Sequence, residues 1–408
     1  MVIMQPRKRL YDTVISNHLG SLRQMVFVSG PRQVGKTTTC RNHSTLYLNW
    51  DDEDHRRVIS AGPAAVVQKA GGGEFLAKPP RQPIVLFDEL HKYRRWKNFL
   101  KGFFDTYESQ MRVLVTGSSR LDVYRRGGDS LMGRYFPYRM HPFTVAEAAT
   151  QDLPDAKRIV RPPRAIPEAE FAALWEHGGY PEPFLTRKPQ FTRQWRHVLR
   201  QTLLRQDLRD LTRIHELGQV EHLAGLLQER SGDQLIYTSL ADQVRVTVDT
   251  IRRWLSTLGG LYFGFRVRPW FKNVSRSLRK EPKWFLRDWS GVADDGKRAE
   301  TFVACHLLKA VEGWTDLGLG EFHLGYLRDK YKREVDFVVV RDGQPWFLVE
   351  VKKADTQVSA SLEHFQQATK APFAFQVVLD ADFIDADCFA TPRGPLVVPA
   401  RTFLSQLL

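Results

Sequence analysis

The chain has 408 residues and a formal net charge of +14, and 42% of its residues are hydrophobic while 26% are charged. This composition excludes a disordered or low-complexity chain, predicts roughly two to four globular domains, and favours a polyanionic partner. The cysteines Cys40, Cys305 and Cys388 lack CxxC spacing, which argues against a disulfide framework or a zinc site. Because no apolar leader or membrane-length run occurs, we expect a cytoplasmic protein with no membrane partner.

Residues 25–38 predict a phosphate-binding loop between a strand and a helix. The apolar run from Met25 to Val28 reaches Gly30-Pro-Arg-Gln-Val-Gly-Lys-Thr, and a helix is expected from Lys36. Glycines let backbone N–H groups converge on phosphate oxygens. Lys36 is expected on the β- and γ-phosphates of ATP, and Thr37 on Mg²⁺. A chance match in a turn is the alternative. The predicted nucleotide-binding residues are Gly30, Pro31, Arg32, Gln33, Val34, Gly35, Lys36, Thr37 and Thr38.

A second nucleotide element follows at residues 83–90. The apolar run 84–87 predicts a central parallel strand, and Asp88 and Glu89 follow at its carboxyl end, where open α/β sheets bind ligands. We expect Asp88 to hold Mg²⁺ and Glu89 to polarise the attacking water, which favours ATP hydrolysis. The alternative is a pair of solvated acids.

Two further catalytic candidates follow this strand. Ser118 comes after the apolar strand 112–116 and could sense the γ-phosphate, although a simple turn explains it nearly as well. Arg134 could reach a neighbouring subunit's γ-phosphate as an arginine finger, with a structural arginine as the alternative.

Strands alternating with helices predict a parallel sheet over residues 1–150, the P-loop core of an α/β fold. A connector and a helical lid are expected over 151–230. Over 231–290, Ser239 is expected to N-cap a helix 240–244 and Thr247 a helix 248–258, followed by a strand. This pattern resembles a winged helix-turn-helix.

A DNA-binding role for this segment is favoured by basic residues interleaved with aromatic ones. A structural or protein-contact module is the alternative. The predicted DNA-binding residues are Arg252, Arg253, Arg266, Arg268, Lys272, Arg276, Arg279 and Lys280.

Residues 291–408 carry acids on a predicted helix and two predicted strands. Asp336 and Glu350 lie on the strands, Glu300 lies on the helix, and Lys352 shares one strand face with Glu350. The three acids could bind Mg²⁺, and Lys352 could orient water for phosphodiester cleavage, as in the PD-(D/E)xK arrangement. An edge strand with solvated charges and a non-catalytic binding module are the alternatives.

Together these segments resemble AAA+-type P-loop ATPases that carry a helical and winged-helix middle and a C-terminal domain of unknown function with a restriction-endonuclease-like core. The residues that carry the resemblance are Gly30–Thr37, Phe87–Glu89, Thr116–Ser119, Gly133–Arg134, Gly178–Glu182, Glu281–Asp288, Glu334–Phe337 and Glu350–Lys352. Trp284 and Trp289 depart from the tyrosine and glycine more usual there. The resemblance implies ATP and Mg²⁺ use, ring-forming homo-oligomers that are often hexamers, and DNA as a substrate.

The function expected from the sequence is an ATP-driven ring that binds and translocates or remodels DNA. Two alternatives stay open: a metal-dependent DNA nuclease gated by ATP, and a STAND-like signalling ATPase whose C-terminal module contacts protein.

Overall fold

The computed structural model describes residues 7–71, 82–117, 131–208, 216–270, 281–392 and 394–408. Ser118, Lys272, Arg276, Arg279 and Lys280 lie outside the described residues. The chain forms two units. The N-terminal unit comprises residues 1–141 with 151–153, and the C-terminal unit comprises residues 142–150 with 154–408.

The N-terminal unit contains a five-stranded sheet in the order β2-β3-β4-β1-β5, in which every pairing is parallel. The predicted parallel sheet is therefore confirmed. All five residues of β1 are buried, as expected for a strand covered on both faces. The strands are β1 Met25–Ser29, β2 Leu46–Asn49, β3 Ile84–Asp88, β4 Arg112–Thr116 and β5 Tyr135–Arg139.

Helices connect and cover these strands. Helix α2 begins at Lys36, directly after the glycine-rich loop. Helix α5 packs Phe99 and Phe103 edge-on against Phe87 of β3, with ring centroids 5.4 and 5.7 Å apart. This packing fixes the strand whose carboxyl end carries Asp88. The helices are α1 Leu10–Ser21, α2 Lys36–Arg41, α3 Glu53–Ser60, α4 Pro63–Lys69 and α5 Trp96–Tyr107.

The first part of the C-terminal unit is helical, as the sequence predicts. Its helices are α6 Val145–Ala149, α7 Glu168–His177, α8 Pro181–Thr186, α9 Pro189–Gln201, α10 Leu217–Glu229, α11 Tyr237–Val244 and α12 Val248–Gly260, and π-helical turns follow α9 over Thr202–Asp207.

The two predicted helix caps have different outcomes. Thr247 caps α12, since its side chain accepts a hydrogen bond from Thr250 N at 3.2 Å. The expectation for Ser239 was wrong, because α11 begins at Tyr237 and places Ser239 inside the helix, where its hydroxyl accepts from the Gln243 amide. The first buried residue of α11 is Leu240, but the helix begins three residues earlier. The prediction took the hydroxyl residue before Leu240 as the cap and therefore placed the start of the helix too late.

A seven-stranded sheet in the order β12-β11-β10-β9-β8-β6-β7 forms the rest of this unit. β6 and β7 form an antiparallel pair, and β6 also pairs in parallel with β8 through Arg268 and Pro269. The strands are β6 Gly264–Pro269, β7 Lys283–Leu286, β8 Phe322–Arg328, β9 Glu334–Arg341, β10 Gln344–Lys352, β11 Phe373–Val378 and β12 Leu396–Pro399. The accompanying helices are α13 Asp295–Asp316, α14 Ala360–Thr369 and α15 Ala400–Ser405.

Strands from the predicted winged-helix-like segment thus share a sheet with strands from residues 291–408, and the domain limits drawn at residues 150, 230 and 290 stay predictions. Across the described part of the chain, no helix has the length and apolar character needed to span a membrane.

Candidate nucleotide site and carboxylate cluster

The glycine-rich loop leaves the carboxyl end of β1 in a conformation that few side chains tolerate. Gly30, Gln33 and Gly35 have positive φ angles of 149°, 57° and 97°. A Cβ atom on Gly30 would lie 2.2 Å from the carbonyl oxygen of Met140. The close approach of the two backbones, which only glycine permits, therefore fixes the first residue of the loop next to the residue that follows β5.

The Gly30→Ala variant is expected to lose about 1–3 kcal/mol of unfolding free energy through overpacking, and to lose nucleotide affinity as the loop shifts. Urea unfolding and binding of a fluorescent ATP analogue measure the two effects. Gly20→Ala is the matched control, because nothing lies within 4 Å of a Cβ at this position of α1. Equal stability and affinity in both variants would contradict the packing role of Gly30.

Lys36 is buried beneath the loop and points its ammonium at two of the loop's carbonyl oxygens. Its Nζ donates to Gly30 O at 2.9 Å and to Pro31 O at 2.6 Å. Burial lowers the pKa of Lys36 to about 8, although the charges of Glu89 and Asp88 oppose this shift. Because this pKa lies above 7, the side chain remains mainly charged at neutral pH and suited to a phosphate.

Asp88 accepts hydrogen bonds from three hydroxyl groups at the carboxyl end of β3. The donors are Thr37 Oγ1 at 2.9 Å, Tyr47 Oη at 3.0 Å and Thr116 Oγ1 at 2.5 Å. Sequence reasoning gave Tyr47 no role and noted Thr116 only within a motif. Thr116 was detectable in principle, because it ends the apolar run of β4 and pairs with Asp88.

The predicted Mg²⁺ ligands fit that ion. The Thr37 hydroxyl and the Asp88 carboxylate are in direct contact, and hard oxygen donors of this kind are the protein ligands that Mg²⁺ prefers. The motif alone placed both residues correctly at the end of the sheet.

Glu89 follows Asp88 in a left-handed conformation, with φ at +54°. Burial raises the pKa of its carboxyl group, with Lys92 opposing the shift. Its Oε2 lies 3.6 Å from His91 Nε2 and 3.5 Å from Lys92 Nζ and accepts no hydrogen bond from the described residues. A strained, partly buried carboxylate beside the glycine-rich loop has the properties of a base that accepts a proton from water.

Arg134 lies at the other end of the sheet. Arg134 directly precedes β5, so it lies at the amino end of this strand. β5 runs parallel to β1, with Met25 opposite Tyr135. The carboxyl ends of both strands therefore lie by the glycine-rich loop, at the opposite edge of the sheet from Arg134. A five-residue strand separates these ends by roughly 15 Å. Arg134 donates to both carboxylate oxygens of Asp105, at 2.7 and 3.0 Å.

Four of the predicted DNA-binding residues are described. Arg252 and Arg253 are exposed on α12, Arg268 is exposed on β6, and Arg266 is half-buried. Sequence reasoning overlooked the basic turn between β8 and β9, Lys330-Tyr-Lys-Arg333, where the Tyr331 side chain is largely exposed and lies beside Lys330 and Arg333. The signal for this turn, an aromatic residue among basic residues, is present in the sequence.

The acids predicted to form a second metal site lie near one another but are not assembled as metal ligands. Asp336 Oδ2 accepts from Val351 N at 2.9 Å, and Glu350 Oε1 accepts from Lys352 Nζ at 2.9 Å. Burial, followed by the charge of Asp336, raises the pKa of Glu300 to about 8 and that of Glu350 to about 7.

The expectation that Glu300, Asp336 and Glu350 bind Mg²⁺ stays a prediction. The described residues contain no group of three His, Cys, Asp or Glu side chains that could hold a metal ion. Lys283 Nζ lies among these acids, 2.6 Å from Glu334, 3.7 Å from Asp336 and 3.8 Å from Glu300. Sequence reasoning noted Lys283 within a motif but gave it no role.

Comparison with known proteins divides the chain into three matched segments. Residues 22–149 match the family described as an AAA domain. Residues 168–293 and 295–383 match two families described as domains of unknown function, DUF8612 and DUF4143.

Uncharacterized proteins from Mycobacterium bovis and Mycobacterium tuberculosis are each 24% identical over 349 residues, which cover 81% of this chain and 71% of each relative. The Aeropyrum pernix ORC1 protein in complex with DNA aligns over 72% of this chain and 90% of its own, with 14% identity and a TM-score of 0.30.

A STAND signal transduction ATPase from Pyrococcus horikoshii aligns over 79% of this chain and 49% of its own, with 12% identity and a TM-score of 0.22. Both scores are too low to support an argument. The match over residues 22–149, with the strand order and the loop after β1, shows that the N-terminal unit is similar to AAA-type P-loop ATPases.

Proposed function

We propose that the chain hydrolyses ATP and uses the energy, as a ring-forming motor, to translocate or remodel DNA. The observation that supports hydrolysis best is the contact between the Thr37 hydroxyl and the Asp88 carboxylate, with Lys36 and Glu89 next to them in the chain. Lys36 and Thr37 come from the first turn of α2, and Asp88 and Glu89 come from the end of β3. Both lie at the carboxyl edge of one parallel sheet, where nucleotides bind in such folds.

Each side chain has a distinct part in this proposal. Lys36 exchanges its carbonyl partners for the β- and γ-phosphate oxygens, which are stronger acceptors because they are charged. Thr37 and Asp88 hold Mg²⁺, which supplies charge neutralisation at the phosphates when bound. Tyr47 and Thr116 keep the Asp88 carboxylate oriented through their hydrogen bonds. Glu89 accepts a proton from the attacking water.

DNA as the partner is supported by the net charge of +14 and by exposed arginines on α12 and β6. The test is ATP turnover by the full chain with and without duplex or single-stranded DNA, together with DNA binding across a salt series. We expect DNA to stimulate turnover and binding to weaken as salt rises. Turnover indifferent to DNA, with no binding at moderate salt, would contradict this part and favour the STAND-like alternative.

The ring is supported by the position of Arg134, which lies too far from the loop of its own sheet to reach a phosphate bound there. If Arg134 acts as an arginine finger on a neighbouring subunit, we expect Arg134→Ala to reduce ATP turnover by about 10³-fold or more. The affinity for ATP is expected to stay nearly unchanged. Steady-state phosphate release and analogue binding measure the two quantities.

Asp105→Asn is the matched control for Arg134→Ala. It breaks the same ion pair but keeps the arginine. If Asp105→Asn lowers turnover as much as Arg134→Ala does, the arginine acts within its own subunit and the proposal for the ring loses its support.

A further inference from the structure

We infer that the Lys283 ammonium is the resident cation of the carboxylate cluster formed by Glu300, Glu334, Asp336 and Glu350, and that it excludes a divalent metal from this cluster. The restriction-endonuclease-like resemblance implies a metal at this position. The side chains that the structure places there do not fit one.

The first support is geometric. Lys283 Nζ lies within 3.8 Å of three carboxylates, and the nearest oxygen, on Glu334, is 2.6 Å away. An ammonium group has three N–H donors and no acceptor. A metal bound to the same carboxylates at about 2.1 Å would lie close to this ammonium. Because two cations at such a distance repel each other strongly, metal and ammonium are alternatives at this cluster.

The second support is that Lys283 is held in place by its backbone and its surroundings. The backbone of Lys283 pairs with Val267 of β6 on one side and forms a β-bridge with Gln234 on the other. The ammonium also lies 5.6 Å from the centre of the Tyr326 ring. The Tyr326 hydroxyl in turn donates to Glu281 O at 2.7 Å, two residues before Lys283. These contacts fix the backbone of Lys283 in the sheet and place the Tyr326 ring beside its ammonium.

The third support is that positive partners for the cluster already come from the chain. Glu350 is bonded to Lys352, and Glu334 is bonded to Arg328 at 2.6 Å as well as to Lys283. Lys352, the lysine expected to act on water, is thus engaged with the glutamate of its own motif. Three cations of the chain, Lys283, Lys352 and Arg328, thus already face the four carboxylates of the cluster.

The test is a titration of the nucleotide-free full chain with Mn²⁺, followed by the electron paramagnetic resonance signal of the free ion. Metal bound at the cluster is the Mn²⁺ binding that is lost when Asp336→Asn is added to the protein under test, either the wild type or a lysine variant. We expect none in the wild type, one Mn²⁺ per chain in Lys283→Met, and its loss in Lys283→Met/Asp336→Asn.

Lys297→Met is the matched control. Lys297 lines the same cavity of about 610 Å³ as Lys283 but pairs with Asp233, at 2.7 Å. This variant removes the same charge from the same cavity, and we expect it to gain no Mn²⁺ site.

Two results would overturn the inference. One is Mn²⁺ binding by the wild type that Asp336→Asn abolishes, and the other is failure of a folded Lys283→Met protein to gain a site. Circular dichroism checks that Lys283→Met is folded, and Lys283→Gln replaces it if it is not. The comparison of the wild type with Asp336→Asn tests the inference without any Lys283 variant. Since nucleotide is absent, the outcome is independent of whether the chain hydrolyses ATP.

Discussion

The Glu89→Gln variant is expected to hydrolyse ATP about 10²–10⁴-fold more slowly than the wild type while still binding it. The amide keeps the size of the side chain but cannot accept a proton from water. Lys36, Thr37 and Asp88, which are expected to hold the nucleotide and its metal, are unchanged. Phosphate release under steady state measures turnover, and equilibrium binding of a fluorescent ATP analogue measures affinity.

The matched control is Glu53→Gln, which makes the same change at an exposed glutamate on α3 that pairs with Arg57. It is expected to leave turnover and binding as they are. Unchanged turnover in Glu89→Gln would remove this residue from the proposed mechanism. A parallel loss of binding and turnover would instead give Glu89 a structural role in the loop.

The same residue predicts a pH dependence. Burial raises the pKa of Glu89 above its ordinary value of 4.5, and the base must be deprotonated to act. Turnover is therefore expected to fall as the pH decreases through this raised pKa, so the acidic limb lies at a higher pH than that of an ordinary glutamate. A pH–rate profile of the wild type at saturating ATP measures the limb.

The Lys309→Met variant is expected to lose about 3–5 kcal/mol of unfolding free energy. Lys309 and Glu147 are both fully buried and form an ion pair that joins α13 to α6, and the Lys309 ammonium also lies 3.1 Å from Thr144 Oγ1. Removing the lysine takes one ion-pair partner away from a fully buried carboxylate. Urea unfolding followed by circular dichroism measures the loss.

The double variant Lys309→Met/Glu147→Leu separates charge from packing. Replacing both charges with apolar groups is expected to restore most of the stability. Lys353→Met is the surface control, since Lys353 pairs with Asp295 in solvent and its loss is expected to matter little. If the double variant is as unstable as the single one, the cost comes from lost packing and not from the loss of the Lys309 charge.

The nucleotide site was predictable because its information is local. The strand before Gly30 and the strand before Asp88 are continuous apolar runs, and the catalytic candidates follow each run directly. A parallel strand buried on both faces produces such a run, and its carboxyl end is where the polar residues must appear. The same motif correctly predicted that α2 begins at Lys36.

The place of Lys283 in the carboxylate cluster was not predictable because its contacts there are long-range. Lys283 meets Glu300, which is 17 residues away, and Asp336, which is 53 residues away. These contacts depend on the place of β7 in a sheet whose order does not follow the chain. A motif of carboxylates and a lysine indicates which groups lie near one another, but it does not show which cation neutralises them.

The pairing of β6 with β8 has a consequence for how this chain can be divided into fragments. The two families matched over residues 168–293 and 295–383 meet inside one hydrogen-bonded sheet, whose β7 places Phe285 against Phe337 of β9 with ring centroids 5.5 Å apart. A gene fragment that ended at this seam would encode a strand with an open edge, which invites aggregation. In this chain the two matched segments therefore contribute to one sheet and belong to the same compact unit.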